Sequence, residues 1–290
     1  MSVKFVSEVS SNHNQSLSRC LDFVDAAADL GCWGVKFQLF KVDKLFAPEI
    51  LERSAEHRMR KAWELPVSFL PEIAARCRLR EIQFGCTPFY LEAVNELIPF
   101  VDFFKVSSYE LIWDDLLYLV ARTGKPLVVS TGMSDLSEIA RASKTLRESG
   151  ADPNTTVWLH CVSDYPCIPD ACCLSFINKI RYMGTAPKTV GWSDHSRNPG
   201  VIYSAVFRYK ASMIEFHLDL DGTGAEYGKG HCWLPEQISP VIQAVRDGER
   251  ANGDGVNRFT PSGLSDRHWR RDPSDGLRPM KAVRSAFLTR

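Results

Sequence analysis

Eight short apolar runs, each closed by turn residues and separated from the next by a helix-like amphipathic segment, set the strongest limit on what this chain can fold into. The runs are 3–10 (VKFVSEVS), 33–40 (WGVKFQLF), 81–88 (EIQFGCTP), 101–108 (VDFFKVSS), 126–131 (PLVVST), 156–163 (TVWLHCVS), 189–194 (TVGWSD) and 212–219 (SMIEFHLD). Between them, segments such as 17–31, 137–150 and 235–249 repeat their apolar residues at helical spacing. Strand followed by helix, eight times over, is the order of a (β/α)₈ TIM barrel. A doubly wound open sheet shares the alternation but usually carries an early glycine-rich phosphate loop, and the chain has no GxGxxG or GxxxxGK. The expected organisation is an α/β barrel over 1–252 and an Arg- and Pro-rich tail over 253–290 that packs on it. Segment 44–65 is too long for a plain connection and predicts a helix or flap over one mouth.

Polar residues recur where such a barrel builds its site, at the C-terminal ends of the strands. They are Glu8 with Asn12 and His13, Lys36 and Gln38, Thr87, Lys105 with Ser107 and Glu110, Ser130 and Thr131, His160 and Asp164, Ser193 with His195, and His217 with Asp219. Two lysines with the hydroxyls of Thr87, Ser130 and Ser193 make a local anion site suited to phosphate. His195 and His217 end neighbouring strands and predict a shared divalent metal with positions left for water or substrate.

Lys plus Arg equal Asp plus Glu at 35 each, so any anion must be held by local groups, and neither nucleic acid nor an anionic membrane is expected as partner. Nine cysteines show no paired zinc spacing, and Cys32, Cys86 and Cys161 lie in apolar runs as small buried hydrophobes. With no signal-like or membrane-spanning apolar stretch, the expected location is the cytoplasm.

The stretches EVSSNHNQS, GVKFQLF, CTPF, FKVSSYE, GKPLVVSTGMSDLSEI, LHCVSDYP, VGWSDHS and IEFHLD, running collinearly from about residue 5 to 220, resemble the successive motifs of the sialic acid synthase family. The resemblance implies a (β/α)₈ catalytic barrel that condenses phosphoenolpyruvate with an aldose, giving a 2-keto-3-deoxy sugar acid and phosphate. It implies a divalent metal, manganese first and magnesium or cobalt as alternatives, and a homodimer. It assigns phosphoenolpyruvate to Lys36, Thr87, Lys105, Ser130 and Ser193, and the metal to His195 and His217. Glu8, Gln38 and Tyr165 face the sugar, with Glu226 expected on the same side where the chain departs from the family, and the catalytic set is Glu110, Lys105 and Glu8. A barrel aldolase or isomerase using the same metal, and an inactive paralogue that binds a sugar phosphate, are the alternatives.

The resemblance departs on the sugar side. Where members that use N-acetylmannosamine commonly have Gly-Pro-Asp after the last strand, this chain has DGTGAEYGKGHCW, residues 221–233, so Glu226 and His231 are expected to select a different acceptor. Ser163, at the start of the loop after strand six, is compatible with the asparagine or serine usual there. The C-terminal antifreeze-like domain, which in the family places an arginine over the partner's sugar, has no counterpart before Arg290. The tail is therefore expected to cover the mouth of its own or a partner's barrel, with Arg271 or Arg278 as donor.

Overall fold

A computed structural model describes residues 2–183 and 189–287. Eight parallel strands, β1 Lys4–Glu8, β2 Gly34–Leu39, β3 Gln83–Pro88, β4 Phe103–Val106, β5 Leu127–Ser130, β6 Thr156–His160, β7 Thr189–Asp194 and β8 Met213–His217, close in chain order, β8 pairing with β1. Each strand lies within one of the eight apolar runs, and the TIM barrel predicted from the alternation is the fold observed.

The period of two in each strand explains where the site must lie. Outward positions such as Phe5, Phe37, Phe84, Phe104, Val129, Trp158, Trp192 and Phe216 are buried against the helix layer. That layer is amphipathic for the usual reason. Helix Leu17–Asp29 buries Cys20, Phe23, Val24 and Ala27, one stripe at spacing three and four, and starts at Ser16, whose side chain accepts from the Arg19 amide. Helix Leu136–Glu148 buries Ile139, Ala142 and Leu146 and opens with a reciprocal capping box between Asp135 and Glu138.

Inward positions form a separate apolar floor of Val6, Phe103, Val128, Leu159 and Met213. Two residues further along the same strands stand Glu8, Lys105, Ser130, Cys161 and Glu215. The barrel interior thus changes from apolar to polar in one step, with the polar layer at the C-terminal end. Gly85 makes room for this floor: it pairs with Phe103 on the neighbouring strand, and a Cβ on it would come within 2.1 Å of the Phe103 ring.

Segment 44–65 folds as the short helices Pro48–Arg53 and Ala55–Met59 and a 3₁₀ turn Arg60–Trp63. It is tied down at its end, where the Val42 amide donates to the Glu64 carboxylate (2.7 Å) and the Gln15 amide group donates to the Lys61 and Glu64 carbonyls (3.0 and 3.1 Å). All nine cysteines are free thiols and eight are buried, as expected of small hydrophobes; burial alone pushes Cys32 up to about 12.

The chain divides into two compact units, Met1–Asp247 and Gly248–Arg290. The second contains helices Pro261–Arg267 and Lys281–Phe287, joined through turns that Asp272 organises by accepting from Ser274 and the Lys281 amide. Within it, Arg271 donates to the Gly276 carbonyl (2.6 Å) and Arg284 pairs with Asp275 (2.8 Å). Among the described residues no helix is long and apolar enough to cross a membrane.

Candidate active site

One cavity of about 520 Å³ opens at the C-terminal ends of the strands, and the residues expected to bind phosphoenolpyruvate, sugar or metal or to act in catalysis line it: Glu8, Lys36, Gln38, Thr87, Lys105, Glu110, Ser130, Tyr165, Ser193, His195, His217 and Glu226. Its floor is an ion-pair network. Lys36 contacts the Glu8 carboxylate, lies 3.9 Å from Glu215, and approaches the Thr87 hydroxyl at 3.4 Å. Lys105 sits 3.2 Å from Glu215, which also accepts from the Ser193 hydroxyl at 3.1 Å. The Gln38 side chain donates to Glu8 at 2.8 Å.

Burial works against charge on Lys36, but Glu215 and Glu8 outweigh it and raise the Lys36 pKa. Burial likewise opposes the Glu215 carboxylate, and Lys105 and Lys36 outweigh it in turn, holding its pKa down. Lys36 and Glu215 are therefore held in their charged forms, and with Glu8 and Lys105 beside them the floor sets two lysines against two glutamates. Balance alone leaves no surplus charge for a phosphorylated ligand; a divalent ion nearby would supply it.

Glu110, on the short 3₁₀ turn that follows β4, is a cavity acid poised near neutrality. Burial pushes it up to about 7, against the Ser107 hydroxyl that donates to it and the charge of Lys105. A carboxyl group with such a pKa can both accept and return a proton at physiological pH.

On the β7–β8 side the imidazole rings of His195 and His217 stand 5.3 Å apart between centroids. The Nδ1–H of His195 donates to the Val162 carbonyl at 2.7 Å, which leaves its Nε2 as a lone-pair donor. Burial and the neighbouring His217 push the His195 pKa down to about 3, so its ring is neutral. The Nδ1 of His217 is fully buried, so its Nε2 is the nitrogen available to the cavity. Two imidazoles that each keep Nδ1 in the protein and turn Nε2 to one cavity fit a divalent ion. Tyr165 covers them, its ring 4.2 Å from that of His195.

Sequence reasoning missed Glu215, the hub of the floor, because it lies inside an apolar run; parity could have found it, since His217 pointing inward requires Glu215 to do so as well. It also missed the rim. Arg60 and Lys229 stand over the Trp63 ring at 5.5 and 5.6 Å, and all three line the cavity together with Phe46.

His160 and Asp219, noted at strand ends, have structural roles instead, and so does Asp194 at the end of β7. His160 faces the helix layer, bonded to the Cys172 carbonyl at 3.0 Å between the Phe176 and Trp192 rings. Asp194 accepts from the indoles of Trp192 and Trp233 at 3.0 and 3.3 Å. Asp219 pairs with Arg19 at 2.6 Å and caps the Gly222 and Gly224 amides. The glycine-rich stretch 221–233 is thereby anchored. Asn12 completes the anchorage by accepting from the Glu226 amide at 2.8 Å and donating to the Leu218 carbonyl at 2.9 Å.

A model described as the NeuB family matches residues 23–257. The spore coat polysaccharide biosynthesis protein SpsE of Bacillus subtilis is 27% identical over 267 residues, covering 88% of this chain and 70% of that protein. The N,N'-diacetyllegionaminic acid synthase of Campylobacter jejuni is 29% identical over 268 residues, covering 89% and 79%. Among solved structures, an N-acetylneuraminic acid synthetase from Leptospira borgpetersenii superposes with a TM-score of 0.79 over 95% of this chain and 93% of that one, at 24% identity.

Proposed function

Because the chain belongs to the NeuB family, we propose that it condenses phosphoenolpyruvate with an aldose to give a 2-keto-3-deoxy sugar acid and phosphate, with a divalent metal as cofactor. The observation that carries this reading is the cavity floor: Lys36 and Lys105, both 3% exposed, are held at strand ends beside Thr87, Ser130 and Ser193, and the same cavity contains Glu110 and the His195–His217 pair. That is an anion site, an acid–base group near neutrality and a metal-competent pair in one enclosure. The names of relatives, legionaminic, pseudaminic and N-acetylneuraminate-9-phosphate synthases, support a sugar acid as product class.

In this mechanism Lys36 and Lys105 exchange part of their pairing with Glu8 and Glu215 for the phosphate and carboxylate of phosphoenolpyruvate, and the three hydroxyls donate to the same oxygens. Glu8, Gln38 and Tyr165 orient the acceptor so that its carbonyl carbon faces the enol carbon. His195 and His217 would hold manganese, magnesium or cobalt, whose contribution is Lewis-acid polarisation of the acceptor carbonyl. The enol carbon forms the new carbon–carbon bond as the acceptor's C=O π bond breaks, its oxygen taking up a proton from solvent to become a hydroxyl, and the positive charge left at the second carbon is met by water. Glu110 takes one proton from that water. The resulting adduct expels phosphate by cleaving the carbon–oxygen bond, and the remaining hydroxyl proton leaves with it as the ketone forms.

The test is phosphate release from phosphoenolpyruvate across a panel of aldoses, with and without manganese. Aldose-dependent release that requires metal is expected. Turnover of sugars without phosphoenolpyruvate would indicate an aldolase or isomerase, and binding without turnover an inactive paralogue.

A further inference from the structure

Beside His217, on the wall of the cavity, stand Glu226 and His231. The Oε2 of Glu226 is 3.6 Å from the Nδ1 of His217 and 3.7 Å from the Nε2 of His231. All three residues are largely enclosed, with side-chain exposures of 9%, 13% and 2% for His217, Glu226 and His231. His217 Nδ1 and Glu226 Oε2 are both fully buried without a hydrogen-bond partner. Their separation is too long for a hydrogen bond, yet the two are complementary, and a buried donor or acceptor left unpaired is costly. His195 is satisfied at the equivalent atom by the Val162 carbonyl, at 2.7 Å. His217 has no such carbonyl; it has a carboxylate.

We propose that Glu226 is a positioning residue of the metal centre: it receives the Nδ1–H of His217 and so fixes that ring with Nε2 toward the cavity as a metal ligand. The inference rests on the metal reading given above and gives Glu226, on the cavity wall, a role toward His217. The physical reason is the one that pairs most metal-bound imidazoles with a partner on their other nitrogen, which sets the tautomer, locks the ring and makes it more basic. His231 on the far side of Glu226 holds the carboxylate between two rings, and Asn12 fixes the backbone through the Glu226 amide. Closing the His217–Glu226 gap by somewhat less than 1 Å on metal binding completes both groups.

The acidic group and both rings, with Cys232, also lie within 4.8 Å of one another, the spacing of a ligand cluster in its own right. Burial holds the Cys232 thiol up at about 12, and its sulfur already accepts from Asn12 at 3.5 Å, so the positioning role is the one the observations favour.

The experiment uses the full chain stripped of metal. Manganese affinity is measured by the loss of the free-ion paramagnetic resonance signal, and coordination by the visible spectrum of the cobalt form, for wild type, Glu226→Gln and Glu226→Ala. The expected result is manganese binding weakened roughly 10- to 100-fold in Glu226→Ala and less in Glu226→Gln. The cobalt bands should keep their positions in both, and the metal-free melting temperature should not change. Wild-type affinity in Glu226→Ala overturns the proposal, as does a changed cobalt spectrum in Glu226→Gln, which would make Glu226 a ligand. Nitrogen NMR of His217 gives an independent reading if Glu226→Ala fails to fold: an Nδ1 without a proton in the metal-bound wild type also overturns it. Absence of any metal binding by wild type removes the metal reading itself, and is seen before any variant is compared.

Discussion

The Glu215 carboxylate on β8 reaches across the barrel to within 3.2 Å of the Lys105 ammonium on β4, and it is the only acid that touches both lysines of the floor among the described residues. Cutting one side of a buried pair leaves the other charge uncompensated, at a cost of roughly 3–5 kcal/mol. Glu215→Gln is therefore expected to lower the melting temperature by several degrees. Inorganic phosphate should restore more of that loss than it adds to wild type, since an anion then replaces the missing charge. Equal stabilisation of both proteins by phosphate would count against the lysines as an anion site.

Lys36 and Lys105 should matter to the donor and not to the choice of acceptor. Methionine keeps much of the stem and deletes the charge, so each lysine-to-methionine variant should bind phosphoenolpyruvate roughly 10- to 100-fold more weakly, the loss of one charge-assisted contact. Calorimetric titration with phosphoenolpyruvate in the absence of any sugar measures this. A defect seen with one aldose alone would move the lysine to the acceptor side.

Glu110 gives the pH dependence. Its carboxyl rises from 4.5 to about 7 through burial, so kcat/KM should climb through about pH 7 as the base form appears, and Glu110→Gln should be nearly inactive with no such limb. The sign for stability is opposite. Between about 4.5 and about 7 the unfolded chain has lost this proton and the folded one retains it, so rising pH favours unfolding. Glu110→Gln should then be the more stable protein at pH 8, by about 3 kcal/mol at most. Urea melts at pH 5 and pH 8 read the difference.

The strands and the polar ring at their ends were legible because each has a period. A run of apolar residues with period two fixes both the strand and the parity of its side chains, which is why Glu8, Lys36, Thr87, Lys105, Ser130 and Ser193 all face one cavity. Parity also shows what position alone obscured: His160 and Asp194 are out of phase with the inward residues of their strands and belong to the helix layer, whereas Glu215 is in phase. Segments without a period hid their roles. Nothing in 44–65 or 221–233 marks Trp63, Lys229 or His231 as cavity residues, because their placement depends on contacts from distant elements, such as Asn12 bonding to Glu226 and Leu218.

His195 and His217 should retain metal only together. Each has its Nδ1 on the protein side, one bonded to Val162 and one against Glu226, so each offers a single lone pair to the cavity. Elemental analysis of His195→Ala and His217→Ala after dialysis against manganese should find less than about a tenth of the wild-type content. Undiminished metal in either would remove that histidine from the ligand set.

The cap formed by 44–65 should act on the acceptor. Phe46, Arg60 and Trp63 line the cavity at the rim, far along the chain from the lysines of the floor, and the Trp63 ring has Arg60 and Lys229 within 5.5 and 5.6 Å of its centre. A broad aromatic face at the entrance is suited to the apolar face of a sugar ring, and removing it also frees both cations from their stacking, each worth about 0.5–1 kcal/mol at an exposed site. Trp63→Ala should raise the KM for the aldose roughly tenfold while leaving the dissociation constant of phosphoenolpyruvate, measured without sugar, within about twofold of wild type. The split is the informative part. Equal losses for both substrates would mean that the cap supports the whole cavity, and an unchanged KM for the aldose would place the acceptor away from Trp63.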